Sequence, residues 1–200
     1  MQSETTRLSL LSRVRDPGDA ASWREFDARY RDLVLRYCRR RGLQESDAED
    51  VRQVLMMSLA TRMRSFEYRP ETGRFRDYLR TCTRHAIAKH VSRQDSGGRG
   101  LSLDEMETIQ AEAAGDTDEL WEAEWRGHHL RQAMAKARAA FERRSLDVFE
   151  RLLAGDRAED VAASFGMNAN AVYKVKQRVK DFLHARIEEQ LADEEFPAAE

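Results

Sequence analysis

The stretch from Asp156 to Arg186, DRAEDVAASFGMNANAVYKVKQRVKDFLHAR, constrains this chain more than any other. Two helical patterns meet in it at a tight turn. The D-x-x-E spacing of Asp156 and Glu159 predicts a capping box that starts the first helix, which turns Val161, Ala162 and Phe165 inward. Gly166 then ends it, because glycine enters the left-handed region without steric cost. Asn168 is expected to cap the second helix, where Val172, Val175, Val179 and Phe182 recur at helical spacing.

The opposite face of that second helix carries Asn170, Tyr173, Lys174, Lys176, Gln177, Arg178 and Lys180. Amides and lysines of this kind reach base edges in a major groove, while neighbouring cations meet phosphates. A solvated surface helix would carry the same charges. The register of Ala162, Gly166, Val172 and Val175 therefore carries the reading, and it matches a DNA-binding helix-turn-helix.

With 200 residues the chain holds one large domain or two small ones. Charged residues make up 35% of it, yet the formal net charge is only -2, so the distribution of charge must identify partners. With 10 Gly, 3 Pro and no alternating β-branched run, the expected class is all-α. The first residues are interrupted by Arg7, Arg13 and Arg15 and do not form a secretory signal, and no apolar run is long enough to span a bilayer. A soluble cytoplasmic protein with no membrane association is expected. Cys38 and Cys82 fall inside helical patterns and read as buried, reduced thiols.

Residues 8–15 read as a short helix, broken at Asp16, Pro17 and Gly18. Ser22 is expected to cap the next, in which Trp23, Phe26, Tyr30, Leu33, Val34 and Tyr37 form an amphipathic stripe. It ends in Arg39, Arg40 and Arg41, with Gly42 as the stop. In the following segment, ESDAEDVRQVLMMSLATRMRSF, Ser46 and Glu49 are spaced as a second capping box, and Val51, Leu55, Leu59 and Met63 supply the buried side. Asp47, Glu49, Asp50 and Gln53 project from another face, where the helix dipole alone would favour acids.

Residues 65–74, SFEYRPETGR, form a loop with two aromatics, Phe66 and Tyr68, and Thr72 or Gly73 as the cap of the helix beyond. That helix has Phe75, Tyr78, Leu79, Cys82, Ala86 and Ile87 on its apolar side. Between Arg74 and Gln94 it carries six Lys or Arg against the single Asp77. Cations for phosphates beside rings for bases suit single-stranded or melting DNA, although a solvated face has the same composition. Cys82, His85 and His90 do not make a zinc site, since the two histidines diverge on one helix and no fourth ligand is evident. No metal, cofactor or catalytic activity is expected.

After the flexible DSGGRG, the segment from Leu101 to Trp125 has nine Asp or Glu and no Lys or Arg. It reads as an acidic linker able to occupy a basic channel as a charge mimic. The last domain is expected to open near Glu119 with a long helix containing Trp121, Trp125, Leu130, Met134, Ala137 and Phe141. Ser145 would cap a short helix that Gly155 ends, and the tail after Leu191 should fray.

In this order, the pieces resemble a bacterial RNA polymerase sigma factor of the extracytoplasmic-function (ECF) type, from about Leu8 to Leu191. The residues that carry the resemblance are DAEDVRQ at Asp47–Gln53, FRDYLRTCTRHAI at Phe75–Ile87, and the terminal helix-turn-helix. The resemblance implies a non-catalytic initiation factor that recruits core RNA polymerase and melts promoter DNA. Its expected layout is an N-terminal domain over 1–95, an acidic linker over 96–120, a C-terminal domain over 121–191 and a tail over 192–200.

Carried over by position, Asp47, Glu49, Asp50 and Gln53 would face the polymerase clamp helices. Phe66, Tyr68, Arg74, Arg76, Tyr78, Arg80, Arg84, His85 and Lys89 would melt and capture the minus-ten element. Asn168, Asn170, Tyr173, Lys174, Lys176, Gln177, Arg178 and Lys180 would read the minus-thirty-five element. The chain departs from the family pattern at Val54, usually acidic, at Tyr78, usually Trp, at His85, usually Asn, and at Lys89, usually Asp. An anti-sigma partner and a monomeric free state also follow from the resemblance. The rival reading is a helix-turn-helix regulator with a helical sensor domain, which would bind paired duplex half-sites by itself.

Overall fold

A computed structural model describes residues 10–63, 75–95 and 118–194, and every secondary-structure element among them is helical. The helices are α1 (Leu10–Arg13), α2 (Ala20–Arg40), α3 (Glu45–Arg62), α4 (Phe75–Asp95), α5 (Glu119–Ala140), α6 (Arg143–Leu153), α7 (Ala158–Phe165) and α8 (Ala169–Glu194). They form two compact units, one of Met1–Arg126 with Asp193–Glu200 and one of Gly127–Ala192. The fold class is all-α, as the composition implies.

In the first unit α2 packs on α3 and α3 on α4. Phe26, Tyr30, Leu33 and Tyr37 from α2 meet Val51, Leu55 and Leu59 from α3 and Phe75, Leu79 and Cys82 from α4. Each large apolar side chain withdrawn in this way contributes roughly 1.5–3 kcal/mol. Tyr30 and Phe75 have ring centroids 5.5 Å apart, and Phe26 meets Phe75 edge-on at 6.0 Å. Burial pushes the Cys38 thiol up to about 12 and raises that of Cys82, so both buried cysteines are protonated and inert.

The first turns of α5 belong to this same unit. Trp121 is fully buried and Trp125 nearly so; Trp121 stands edge-on to Tyr37 at 5.0 Å and Trp125 stacks on Tyr30 at 6.2 Å. The sequence pattern opens the last domain near Glu119 and so assigns both tryptophans to it, while the layout that the resemblance implies extends the linker to residue 120. Here Asp118 caps α5, accepting the Trp121 N–H at 3.1 Å.

The second unit is built on two apolar clusters. Ala133, Ala137, Leu146, Phe149, Val179 and Leu183 form one, with Phe141 and Phe182 at its edge. Val148, Ala158, Val161, Ala162 and Val172 form the other, with Phe165 and Val175 partly buried against it. Helix α8 runs to Glu194, past the point where the tail was expected to fray.

Several expected caps are replaced. Asp19, not Ser22, caps α2, accepting the Ser22 N–H at 2.9 Å and the Ser22 hydroxyl at 2.5 Å. Helix α3 starts at Glu45, with Gln44 as its cap residue, so Ser46 already lies in the first turn. Glu49 is drawn to Arg52, which binds it through two nitrogens at 2.7 and 3.1 Å, a stronger charge-assisted contact than a backbone cap. Likewise Asp156 binds Arg151 at 2.6 Å, and α7 starts after Arg157 with no side-chain cap. Ser145 falls inside α6, which begins at Arg143 after Glu142. The cap expected at Thr72 or Gly73 lies outside the described residues.

Candidate nucleic-acid and polymerase interfaces

The residues expected to face polymerase divide by environment. Asp50 and Gln53 are exposed on α3 and, with Val54, Met57, His90 and Arg93, line a surface cavity of about 350 Å³. Met57 is 65% exposed, so this face offers apolar contact beside a carboxylate and an amide. Asp47 is half-buried and stands 3.4 Å from His90. Glu49 is bound by Arg52 and, at 3.0 Å, by Arg31; the hydrogen bonds from Arg52 hold its carboxyl below the usual range. Arg52 also reaches Asp27 at 2.5 Å, which ties α3 to α2.

Helix α4 carries the described part of the expected melting surface. Arg76, Tyr78, Arg84 and Lys89 are partly exposed, whereas Arg80 and His85 are buried, at 8% and 6%. Burial and the neighbouring Cys82 raise the Tyr78 hydroxyl above its ordinary value, so the ring is an uncharged amphipathic edge. Arg76 lies 3.0 Å from Glu122 of α5. Phe66, Tyr68 and Arg74 lie outside the described residues.

In the second unit, Gly166 ends α7 at φ 59° and ψ 39°, the left-handed conformation that its position predicts. The Met167 N–H reaches the Ala162 carbonyl at 2.8 Å, closing the turn, and Asn168 accepts the Ala171 N–H at 2.7 Å as the cap of α8. Arg144 donates to the Phe165 carbonyl at the C-terminal end of α7. Val172 and Val179 are fully buried, and Val175 and Phe182 are half-buried. That anchors one side of α8 and exposes the other. Asn168, Asn170, Tyr173, Lys174, Lys176, Gln177, Arg178 and Lys180 are all exposed. Gln177 donates to Asp181 at 2.7 Å, and Arg178 lies over the Phe141 ring at 5.4 Å.

A group that the sequence reading did not anticipate joins α2 to the start of α5. The Tyr37 hydroxyl donates to Asp118, and Arg41 binds the same carboxylate at 2.6 Å while donating to the Tyr37 oxygen at 2.8 Å. Burial alone would raise the Asp118 carboxyl, but the hydrogen bonds from Tyr37, the Trp121 N–H and Arg41 outweigh it and hold the group below its ordinary value. Burial and the bond to Asp118 push the Tyr37 hydroxyl up to about 12. Arg40 stands 3.3 Å from Glu124. The sequence signal for this group is an Asp three residues before a Trp at a helix start, which is too common to identify a tertiary contact.

His128 and His129 are buried in the second unit: Gln132 and the His128 ring are 2.9 Å apart, and His129 Nδ1 is 2.9 Å from Gln190. Among the described residues no cluster of His, Cys, Asp or Glu could hold a metal ion, and no helix is long and apolar enough to cross a membrane.

Residues 26–97 match the family model described as Sigma-70 region 2. The matched segment takes in α2 from Phe26 onward, the whole of α3 and α4, and therefore both candidate surfaces of the first unit. It supports a sigma-70 family factor with a part in RNA polymerase binding and promoter melting. No curated protein and no solved structure matches the chain.

Proposed function

We propose that this chain, with its sigma-70 region 2 over residues 26–97, is an ECF-type sigma factor that binds core RNA polymerase and directs promoter recognition and opening. That match is the observation that carries the reading. In this account Asp50, Gln53 and the apolar edge of Val54 and Met57 dock the polymerase clamp, with Asp47 beside them. Glu49 holds α3 in place through Arg52 and takes a lesser part in the contact.

Promoter opening is a matter of differential binding, with no bond made or broken by the protein. Captured bases and phosphate contacts offset lost stacking, which costs about a few kcal/mol per step. Arg76, Arg84 and Lys89 supply cations and Tyr78 a ring edge, joined by Phe66, Tyr68 and Arg74 from the preceding stretch of sequence. The buried Arg80 and His85 support the surface from beneath. The exposed face of α8, from Asn168 to Lys180, reads the minus-thirty-five element as duplex, because its turn and anchored valines hold the helix firmly enough to enter a groove. The protein is a cytoplasmic monomer when free, needs no cofactor, and is regulated by an anti-sigma factor that covers its polymerase-binding surface.

Permanganate reactivity of thymines on a fragment from the gene's own upstream region tests this. Reactive thymines are expected only when core polymerase and this protein are both present. Tight binding to paired half-sites by the protein alone, with no opening in either case, would instead favour a duplex-binding regulator.

A further inference from the structure

The start of α5 presents an unusual arrangement to the rest of the first unit. Trp121 and Trp125 form an aromatic stripe, and at about 100° per residue Glu122 and Glu124 flank it on either side, with Asp118 one turn ahead of Glu122. Each of these three carboxylates meets an arginine: Asp118 meets Arg41 at 2.6 Å, Glu122 meets Arg76 at 3.0 Å and Glu124 meets Arg40 at 3.3 Å. The side chains of Asp118 and Glu124 are 4% and 9% exposed while those of Arg41 and Arg40 are 37% and 50% exposed, so buried acids hold arginines that still reach solvent.

On the surface that receives them Arg41 lies over the Tyr37 ring at 5.3 Å. Cations beside aromatic faces are what a single strand of nucleic acid requires, phosphate to guanidinium and base to ring. The α5 segment supplies the same two chemistries, carboxylate and indole, from within the chain. From Asp118 to Trp125 it has four acids and no cation of its own.

We infer that the Asp118–Trp125 segment is a built-in competitor that occupies Arg40, Arg41 and Arg76 in place of the phosphates of single-stranded DNA. This rests on the proposed reading of Arg76 as a DNA contact and adds a regulation to it: the free protein holds its own cations until a stronger partner claims them. The competitor acts locally, because its acids and the arginines they bind belong to one compact unit.

The test is fluorescence anisotropy of a labelled oligo(dT) strand with the full chain at several salt concentrations. The variant Asp118→Asn/Glu122→Gln/Glu124→Gln keeps side-chain size, and Asn retains helix-capping ability. It is compared with Glu25→Gln/Asp32→Asn/Glu150→Gln, an equal charge change that also releases arginines, namely Arg13, Arg36 and Arg138. The first variant should bind at least about five-fold more tightly than wild type, with a log–log salt slope steeper by about 2, near the value for three added phosphate contacts on a single strand. The control should shift by less than two-fold. Adding Arg40→Gln, Arg41→Gln and Arg76→Gln to the first variant should abolish the gain.

An unchanged affinity, or an equal gain in the control, overturns the inference. If circular dichroism shows that the triple variant does not fold, Glu122→Gln alone decides, with a slope change of about 0.7 expected for releasing Arg76 and no change contradicting it. Failure here leaves promoter opening with polymerase intact. Failure of the proposed function would appear as no opening by wild type, whatever the oligonucleotide result.

Discussion

Arg76, two residues into α4, lies 3.0 Å from Glu122, which follows it by 46 positions. One of the cations that the sequence offers to promoter DNA is thus already paired with an acid from another helix. The same short stretch of α5 binds Arg41 and Arg40, so the basic end of α2 is neutralised by tertiary contacts as well as by its helix dipole.

The Asp118 group makes the stability of the first unit depend on pH at both extremes. The Asp118 carboxyl is held below its unfolded value, so its stabilisation is present above about pH 4 and is lost as pH falls through the folded value. Asp118→Asn should therefore be less stable than wild type near neutrality, and the difference should vanish in acid. The Tyr37 hydroxyl is raised to about 12, so its contribution is present below about pH 10 and fades as pH rises toward that value. Urea titrations across pH check both limbs; parallel curves for wild type and variant would contradict the assignment.

Replacing Gly166 should weaken the second unit without touching its core. A side chain at φ 59° costs about 1–2 kcal/mol, so Gly166→Ala should lower the urea midpoint. Gly18→Ala, at a glycine whose φ is not positive, is the comparison. An equal effect at both sites would remove the conformational explanation.

Asp50→Ala with Gln53→Ala should reduce association with core polymerase while changing stability by no more than about 0.5 kcal/mol, since both side chains are exposed. Glu49→Ala should behave differently. It leaves Arg52, 13% exposed, with one fewer carboxylate and should cost about 1.5–3 kcal/mol of stability. Pull-down with core polymerase alongside thermal melts separates the two; undiminished capture of the double variant would remove Asp50 and Gln53 from the contact.

Lys174→Ala should lower affinity for the cognate duplex about ten-fold or more, the scale of a lost base contact, and affect scrambled duplex less. Competition binding with the holoenzyme reads the ratio. An equal loss on both sequences would make Lys174 a phosphate contact.

Much of this molecule is legible locally. Gly42, Gly155 and Gly166 each take positive φ where a helix pattern stops, and Asn168 caps α8 as its position suggests. The buried stripe Val51, Leu55, Leu59 and Met63 follows directly from helical spacing. Ser22, Ser46 and Ser145 miss as caps because their helices begin one or two residues earlier, and the two acids share another cause. Serine and acid spacings name groups able to cap, but Glu49 and Asp156 have arginines within reach, and a guanidinium outcompetes a backbone N–H. The role of α5 was hidden for another reason. Periodicity says that Trp121 and Trp125 are buried but not against what, and an acidic run beside them looks like linker until its arginines are placed.

The central claim is tested most directly by run-off transcription with purified core polymerase on fragments from the gene's own upstream region, with and without this protein. The account predicts a specific transcript that appears only when both are present. No transcript from any fragment, with the protein folded and bound tightly to duplex DNA by itself, would contradict it.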